Sequence, residues 1–123
     1  MSNLVNLLSL ATFTVMLSLG QLLFKRVGLS IQGQSASDAV VSAIKDPALI
    51  AALMLYGLAT VLWIWILSRV PLMQAYPWVA AGIVIVPMLG WLVFGERVSW
   101  IFWIGVALIV AGIIVTQFAV EQA

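Results

Sequence analysis

Four long apolar runs set the pattern of the chain, at about residues 4–26, 47–67, 72–94 and 100–118. Each approaches or exceeds the roughly 20 residues that a helix needs to cross a hydrocarbon core. The first, counted from Leu4 to Phe24, gives roughly 31 Å as a helix. It is not uniformly apolar. At about 100° per residue, Asn3, Asn6, Thr14, Ser18, Gln21 and Lys25 fall in one sector about 120° wide. In water this row would be a solvated face. In a membrane it must face a protein partner, a water-filled cavity or a substrate.

The punctuation between runs fits helices with short connections. Gly28 is placed to close the first helix. Residues 29–46 form the one sizeable polar stretch, where Gly33, Gln34 and Ser35 mark a loop. Ser37 and Asp38 are N-cap types, followed at helical spacing by Val40, Val41 and Ile44, so this stretch is an interfacial helix or an ordered loop. Asp46 as N-cap and Pro47 at the first helical position open the second span. Within it Tyr56, Thr60 and Trp63 share a face, and Trp65 reads as an interfacial anchor. The tight Ser68-Arg69-Val70-Pro71 connection predicts antiparallel neighbours. In the third span Pro77 and Pro87 predict kinks, and Ala75, Ala80, Ala81 and Gly82 allow close helix approach. Gly95-Glu96-Arg97 ends it, Ser99 suits the N-cap of the fourth, and Gly105, Ala111 and Gly112 line a small-residue strip there. The expectation is an all-α integral membrane protein. It has four transmembrane helices, a possible interfacial helix between the first two, and a single domain over residues 1–123.

Composition narrows the chemistry. The chain is 65% hydrophobic and 7% charged, beyond what a soluble domain of this size can cover. Without cysteine or histidine there is no thiol chemistry, no disulfide and no usual general base. No nucleophile–base pair, carboxylate pair or metal-ligand cluster is recognisable, so no enzyme, cofactor or metal is expected. A net charge of +1 argues against nucleic acid. The N-terminus lacks a basic region and the small-residue cleavage pattern of a leader. Lys25, Arg26, Lys45 and Arg97 fall on one side of the bundle and Arg69 on the other, which predicts both termini outside the cytoplasm.

Several motifs resemble a known family. Arg69-Val70-Pro71-Leu72-Met73-Gln74-Ala75-Tyr76-Pro77 is similar to the "vP-xx-AYp" opening of the third helix in small drug/metabolite transporters. Phe94-Gly95-Glu96-Arg97-Val98-Ser99, with Trp103-Ile104-Gly105 and Leu108-Ile109-Val110-Ala111-Gly112, resembles the end of an EamA-type repeat. Gly20-Gln21 with Lys25 is similar to "GQ-xxx-K" in the first helix. The small multidrug resistance exporters carry a glutamate three residues before that glycine, where this chain has Leu17. With Trp63-Ile64-Trp65 and Ala75-Tyr76-Pro77, the chain instead resembles the aminoarabinose–undecaprenyl phosphate flippase branch. That resemblance implies movement of a polyprenyl-phosphate-linked sugar between leaflets of the bacterial inner membrane.

The residues themselves favour an anionic, amphipathic substrate, because Asp38, Asp46, Glu96 and Glu121 all fall at helix ends or in loops while the near-membrane charges are mostly cationic. Lys25, helped by Arg26, is the candidate phosphate site, and Arg69 a second one on the opposite side; Lys25 and Arg26 can instead snorkel as anchors, and Arg69 can be a loop charge. Asn6, Thr14, Ser18 and Gln21 are candidates for headgroup contact, or for interhelical hydrogen bonds. Tyr76 and Trp78 are candidates for stacking on a sugar, or for an aromatic belt. Glu96 is a candidate proton carrier, or else is expected to pair with Arg97 or to cap the fourth helix. Four helices enclose little cavity, so a homodimer or a heterodimer with a similar short subunit is expected. The Gly105–Gly112 strip resembles the helix-four dimerisation motif of the small multidrug resistance group, which implies Gly105 and Gly112 at the dimer interface, or else it packs within one protomer. The alternatives are an exporter of small molecules and a non-transporting subunit of a membrane complex.

Overall fold

The computed structural model describes residues 2–122. It contains α1 (Ser2–Ser30), α2 (Ala36–Lys45), α3 (Pro47–Leu67), α4 (Leu72–Ala80), α5 (Gly82–Phe94) and α6 (Trp100–Gln122). Four stretches are long and apolar enough to cross a membrane: α1, α3, the α4–α5 pair and α6. All four expected spans are present, and α3 begins and ends where the Asp-Pro and Ser-Arg-Val-Pro signals place it. Asp46 caps α3 by accepting a hydrogen bond from the Ala48 N–H at 2.8 Å.

Three local expectations need correction. Gly28 does not close α1, which runs on to Ser30. A glycine inside a helix costs only about 1 kcal/mol relative to alanine, and the chain turns later, at Gly33 with φ +81°. At 29 residues α1 is about 43 Å long, well beyond a hydrocarbon core of about 30 Å. The stretch between the first two spans does hold a helix, α2, but its cap is Ser35 rather than Ser37 or Asp38. Val40, Val41 and Ile44 on α2 are exposed, as suits a helix lying in the membrane interface.

The third difference concerns the span with two prolines. It is interrupted at Ala81, between Pro77 and Pro87, and becomes two helices. The N–H of Ala81 bonds to Trp78 O at 3.1 Å and that of Val84 to Ala81 O at 3.1 Å, tighter turns than an α-helix makes. The Thr14 hydroxyl of α1, shared between Leu10 O at 2.9 Å and Trp78 O at 3.0 Å, supplies a further donor at the break. Trp78 O thus accepts from both Ala81 N–H and a neighbouring hydroxyl, which ties the break to α1.

Helix α1 is central and packs on α3, α4 and α5. Among the described residues α6 touches only α4 and α5, and Val106 is its one buried residue. The core is Leu10 and Phe13 of α1, Ala59 and Ile66 of α3, Val70 and Ala75. Phe13 stacks on Trp63 at 4.6 Å between centroids. These residues all lie toward the α3–α4 connection. The bundle is therefore tight at that end, and a cleft opens at the other.

Candidate functional site

The cleft is built from one face of α1, one of α5 and the start of α6. A space of about 600 Å³ is lined by Gln21, Lys25 and Gly28 on α1, by Pro87 and Gly90 on α5, and by Glu96 and Phe102 beyond it, among others. A second space of about 440 Å³ continues toward the membrane centre, past Thr14, Leu17 and Ser18 of α1 and Gly82 of α5. The two share Gln21, Val86, Pro87 and Phe102, so they form one continuous groove. Its walls are mostly apolar. The polar row of α1 forms its polar edge, from Thr14 to Lys25.

Along that edge burial falls toward the mouth. Thr14 and Ser18 are 3% and 2% exposed. Thr14 holds the Trp78 carbonyl, and Ser18 Oγ donates to Thr14 O at 2.8 Å. Gln21 is exposed, and its Nε2 donates to the Tyr56 hydroxyl of α3 at 2.6 Å. Gly20 makes this possible, because a Cβ there would collide with the Tyr56 ring. The Gly-Gln pair therefore seats an α3 tyrosine on α1, and the ring is braced by Phe24 at 5.0 Å.

Lys25 stands at the mouth. Its ammonium pairs with Glu96 Oε1 at 3.0 Å, with both side chains about half exposed (47% each). This corrects the expectation that Glu96 pairs with Arg97 or caps the last helix. The reason lies in how α5 ends. Gly95 adopts a left-handed conformation (φ +66°), and the Glu96 N–H returns to Gly90 O at 3.3 Å. This reversal is typical of helix C-termini. It turns the Glu96 side chain back over α5, where Gly90 leaves room: a Cβ there would lie 2.7 Å from Glu96 Oε2.

The other candidates lie elsewhere. Arg26 is exposed beside Lys25 but does not line the cleft. Asn6 is partly buried near the opposite end of α1, about 28 Å from Lys25 along the helix. Arg69 lies over the Trp65 ring at 4.2 Å on that same end. Tyr76 faces an apolar groove of about 800 Å³ between α4 and α6, shared with Gly112, and Trp78 lines a neighbouring one beside Gln117. The structure thus gathers Thr14, Ser18, Gln21 and Lys25 and keeps Asn6, Arg69 and Tyr76 away from them, while Trp78 meets Thr14 through its carbonyl and turns its ring to another groove. Gly105 and Gly112 are exposed on α6. Sequence reasoning missed Tyr56 and Glu96 as members of the cleft. Gly90 and Gly95 were the available signal for Glu96, since together they mark a helix end that folds back on itself.

The sequence pattern of the EamA-like transporter family matches residues 2–118. The chain is 34% identical over 93 residues to the probable 4-amino-4-deoxy-L-arabinose-phosphoundecaprenol flippase subunit ArnE of Aeromonas hydrophila, covering 76% of this chain and 80% of that one. It is 36% identical over 93 residues to the ArnE protein of Aeromonas salmonicida, with the same coverage. It is 42% identical over 69 residues to that of Pectobacterium atrosepticum, covering 56% of this chain and 61% of that one. No match to a solved structure reached significance. With four membrane-spanning segments and the family pattern running through all of them, the chain belongs to the EamA-like transporter family and is a multi-pass membrane transporter.

Proposed function

We propose that this transporter is a flippase subunit that moves a polyprenyl-phosphate-linked sugar between the leaflets of the bacterial inner membrane. The observation that carries this reading is the position of Lys25: an ammonium at the mouth of an apolar-walled groove whose polar edge continues inward through Gln21 to Ser18 and Thr14. A phosphate meets the ammonium, Gln21 offers an amide to the sugar, and the polyprenyl chain stays in lipid beside the groove. The names of the ArnE relatives, which specify an undecaprenyl-linked aminosugar, support the same substrate class. Four of the five cations cluster at the Lys25 end, so the groove opens toward the cytoplasm and both termini are periplasmic. An α6 with one buried residue and with exposed Gly105 and Gly112 suits packing against a second four-helix subunit, identical or similar.

The test is lipid binding by native mass spectrometry in a bilayer mimetic, with undecaprenyl phosphate as the probe. Lys25→Ala is expected to weaken binding about tenfold or more, the worth of a charge-assisted hydrogen bond, with helical content unchanged. Equal binding by a well-folded Lys25→Ala protein would reduce Lys25 to an anchor. Robust uptake of a quaternary ammonium compound by reconstituted vesicles under a pH gradient would favour drug export instead.

A further inference from the structure

The ammonium assigned to phosphate is not free in this structure. It is held by a carboxylate that the fold delivers from another helix. Four features converge on that delivery. Gly95 reverses the chain, the Glu96 N–H closes onto Gly90 O, Gly90 vacates the space for the carboxylate, and the carboxylate reaches Lys25 at 3.0 Å. Both partners line the same space of about 600 Å³. A solvated surface carboxylate needs none of this construction.

We infer that Glu96 is a positioning residue for transport: it holds the Lys25 ammonium at the mouth of the cleft when no lipid is bound, and it competes with the bound phosphate to drive its release. This rests on the reading of Lys25 as the phosphate holder. Phosphate and carboxylate are both anions that accept from the same ammonium, so each excludes the other. A flippase must let go of its cargo, and a tethered anion beside the site provides the exchange partner at that step. The exchange also acts on shape. Among the described residues this is the one salt bridge, and it joins α1 to the α5–α6 connection across the cleft mouth. Since α6 does not pack on α1, a phosphate that takes Lys25 also frees the α5–α6 connection from that tie.

The size of the effect follows from the exposure of the pair. Half-exposed ion pairs are weak, so the competition reduces apparent phosphate affinity by only about two- to sixfold. That is small enough to be overcome by cargo and large enough to measure. The variant is Glu96→Gln, which keeps the shape that fits over Gly90 and removes the charge. The full chain, with any subunit that co-purifies, is studied in vesicles and in nanodiscs. Undecaprenyl phosphate is titrated by native mass spectrometry, and turnover is followed with a fluorescent polyprenyl-phosphate sugar. Glu96→Gln is expected to bind about two- to sixfold more tightly while turning over more slowly, a KM and a kcat that fall together. Glu96→Asp should restore wild-type behaviour, and Glu96→Gln added to Lys25→Ala should change nothing. Unaltered or weaker binding by Glu96→Gln, or a gain that persists without Lys25, overturns the inference and leaves the phosphate reading intact. Wild-type binding by Lys25→Ala alone is the separate result that removes both.

Discussion

Two glycines beside the cleft, Gly20 under the Tyr56 ring and Gly90 on the cleft wall, should respond differently to the same methyl group. At Gly20 the added Cβ collides with the Tyr56 ring, which is wedged between α1 and α3. Overpacking of that kind costs about 1–3 kcal/mol, so Gly20→Ala should lower the thermal unfolding midpoint in detergent. At Gly90 the Cβ meets the end of a flexible carboxylate, 2.7 Å away. The helix gains about 1 kcal/mol from alanine, which roughly offsets a half-exposed ion pair worth at most about 1 kcal/mol. Gly90→Ala should therefore leave stability nearly unchanged and move phosphate affinity in the direction of Glu96→Gln. Stability changes of the same sign and size at both positions would contradict the geometry. Much of this was legible in the sequence for Gly20-Gln21 and Lys25, because they sit on one helix at fixed spacing. The partner of Lys25 was not, since local pattern cannot report a contact between α1 and a loop two spans later.

At the scale of elements, the helix starts marked by Asp46-Pro47 and Pro71 were readable because caps and prolines act locally. The site of the break in the third span was not. Two prolines announced a disturbance, but its position at Ala81 depends on what α1 presents to it. Thr14 is that group, and its side chain is committed to Trp78 O rather than to open water. Thr14→Val keeps the shape and removes the donor. It should destabilise the bundle by about 0.6 kcal/mol, and at most about 1.5, by the usual worth of interhelical hydrogen bonds in membranes. The burial gradient gives a companion expectation. Single cysteines replacing Thr14 and Ser18 should resist a charged maleimide in the resting protein, while one replacing Gln21 should react, because a thiolate forms where water reaches the sulfur. Reaction at residues 14 and 18 that rises only during turnover would mean that the inner groove opens as cargo passes. Equal reaction at all three at rest would mean that α1 is loosely packed and the groove undefined.

At the scale of the whole molecule, the four spans differ in kind. Helix α1 supplies the shared core, the α4–α5 pair folds around it, and α6 stays at the edge with most of its surface outward. They also differ in length. Fully immersing the 29 residues of α1 in a core of about 30 Å would need a tilt of about 46°, steeper than membrane helices adopt. Part of α1 must instead stand among the headgroups, and the Lys25 end, beside the exposed apolar side of α2, is suited to that place. The protein is thereby a ruler laid across its membrane, and the mark on the ruler is an ammonium. A thicker bilayer draws that mark below the plane of lipid phosphates, and a thinner one lifts it clear of them. Turnover in vesicles of phosphatidylcholines with acyl chains of about 14 to 22 carbons should pass through a maximum and fall on both sides, with Lys25→Ala abolishing the dependence. A flat profile in the wild type would mean that the height of Lys25 is set by the bundle alone. With a maximum, the composition of the surrounding membrane becomes a control on how fast the cargo crosses it.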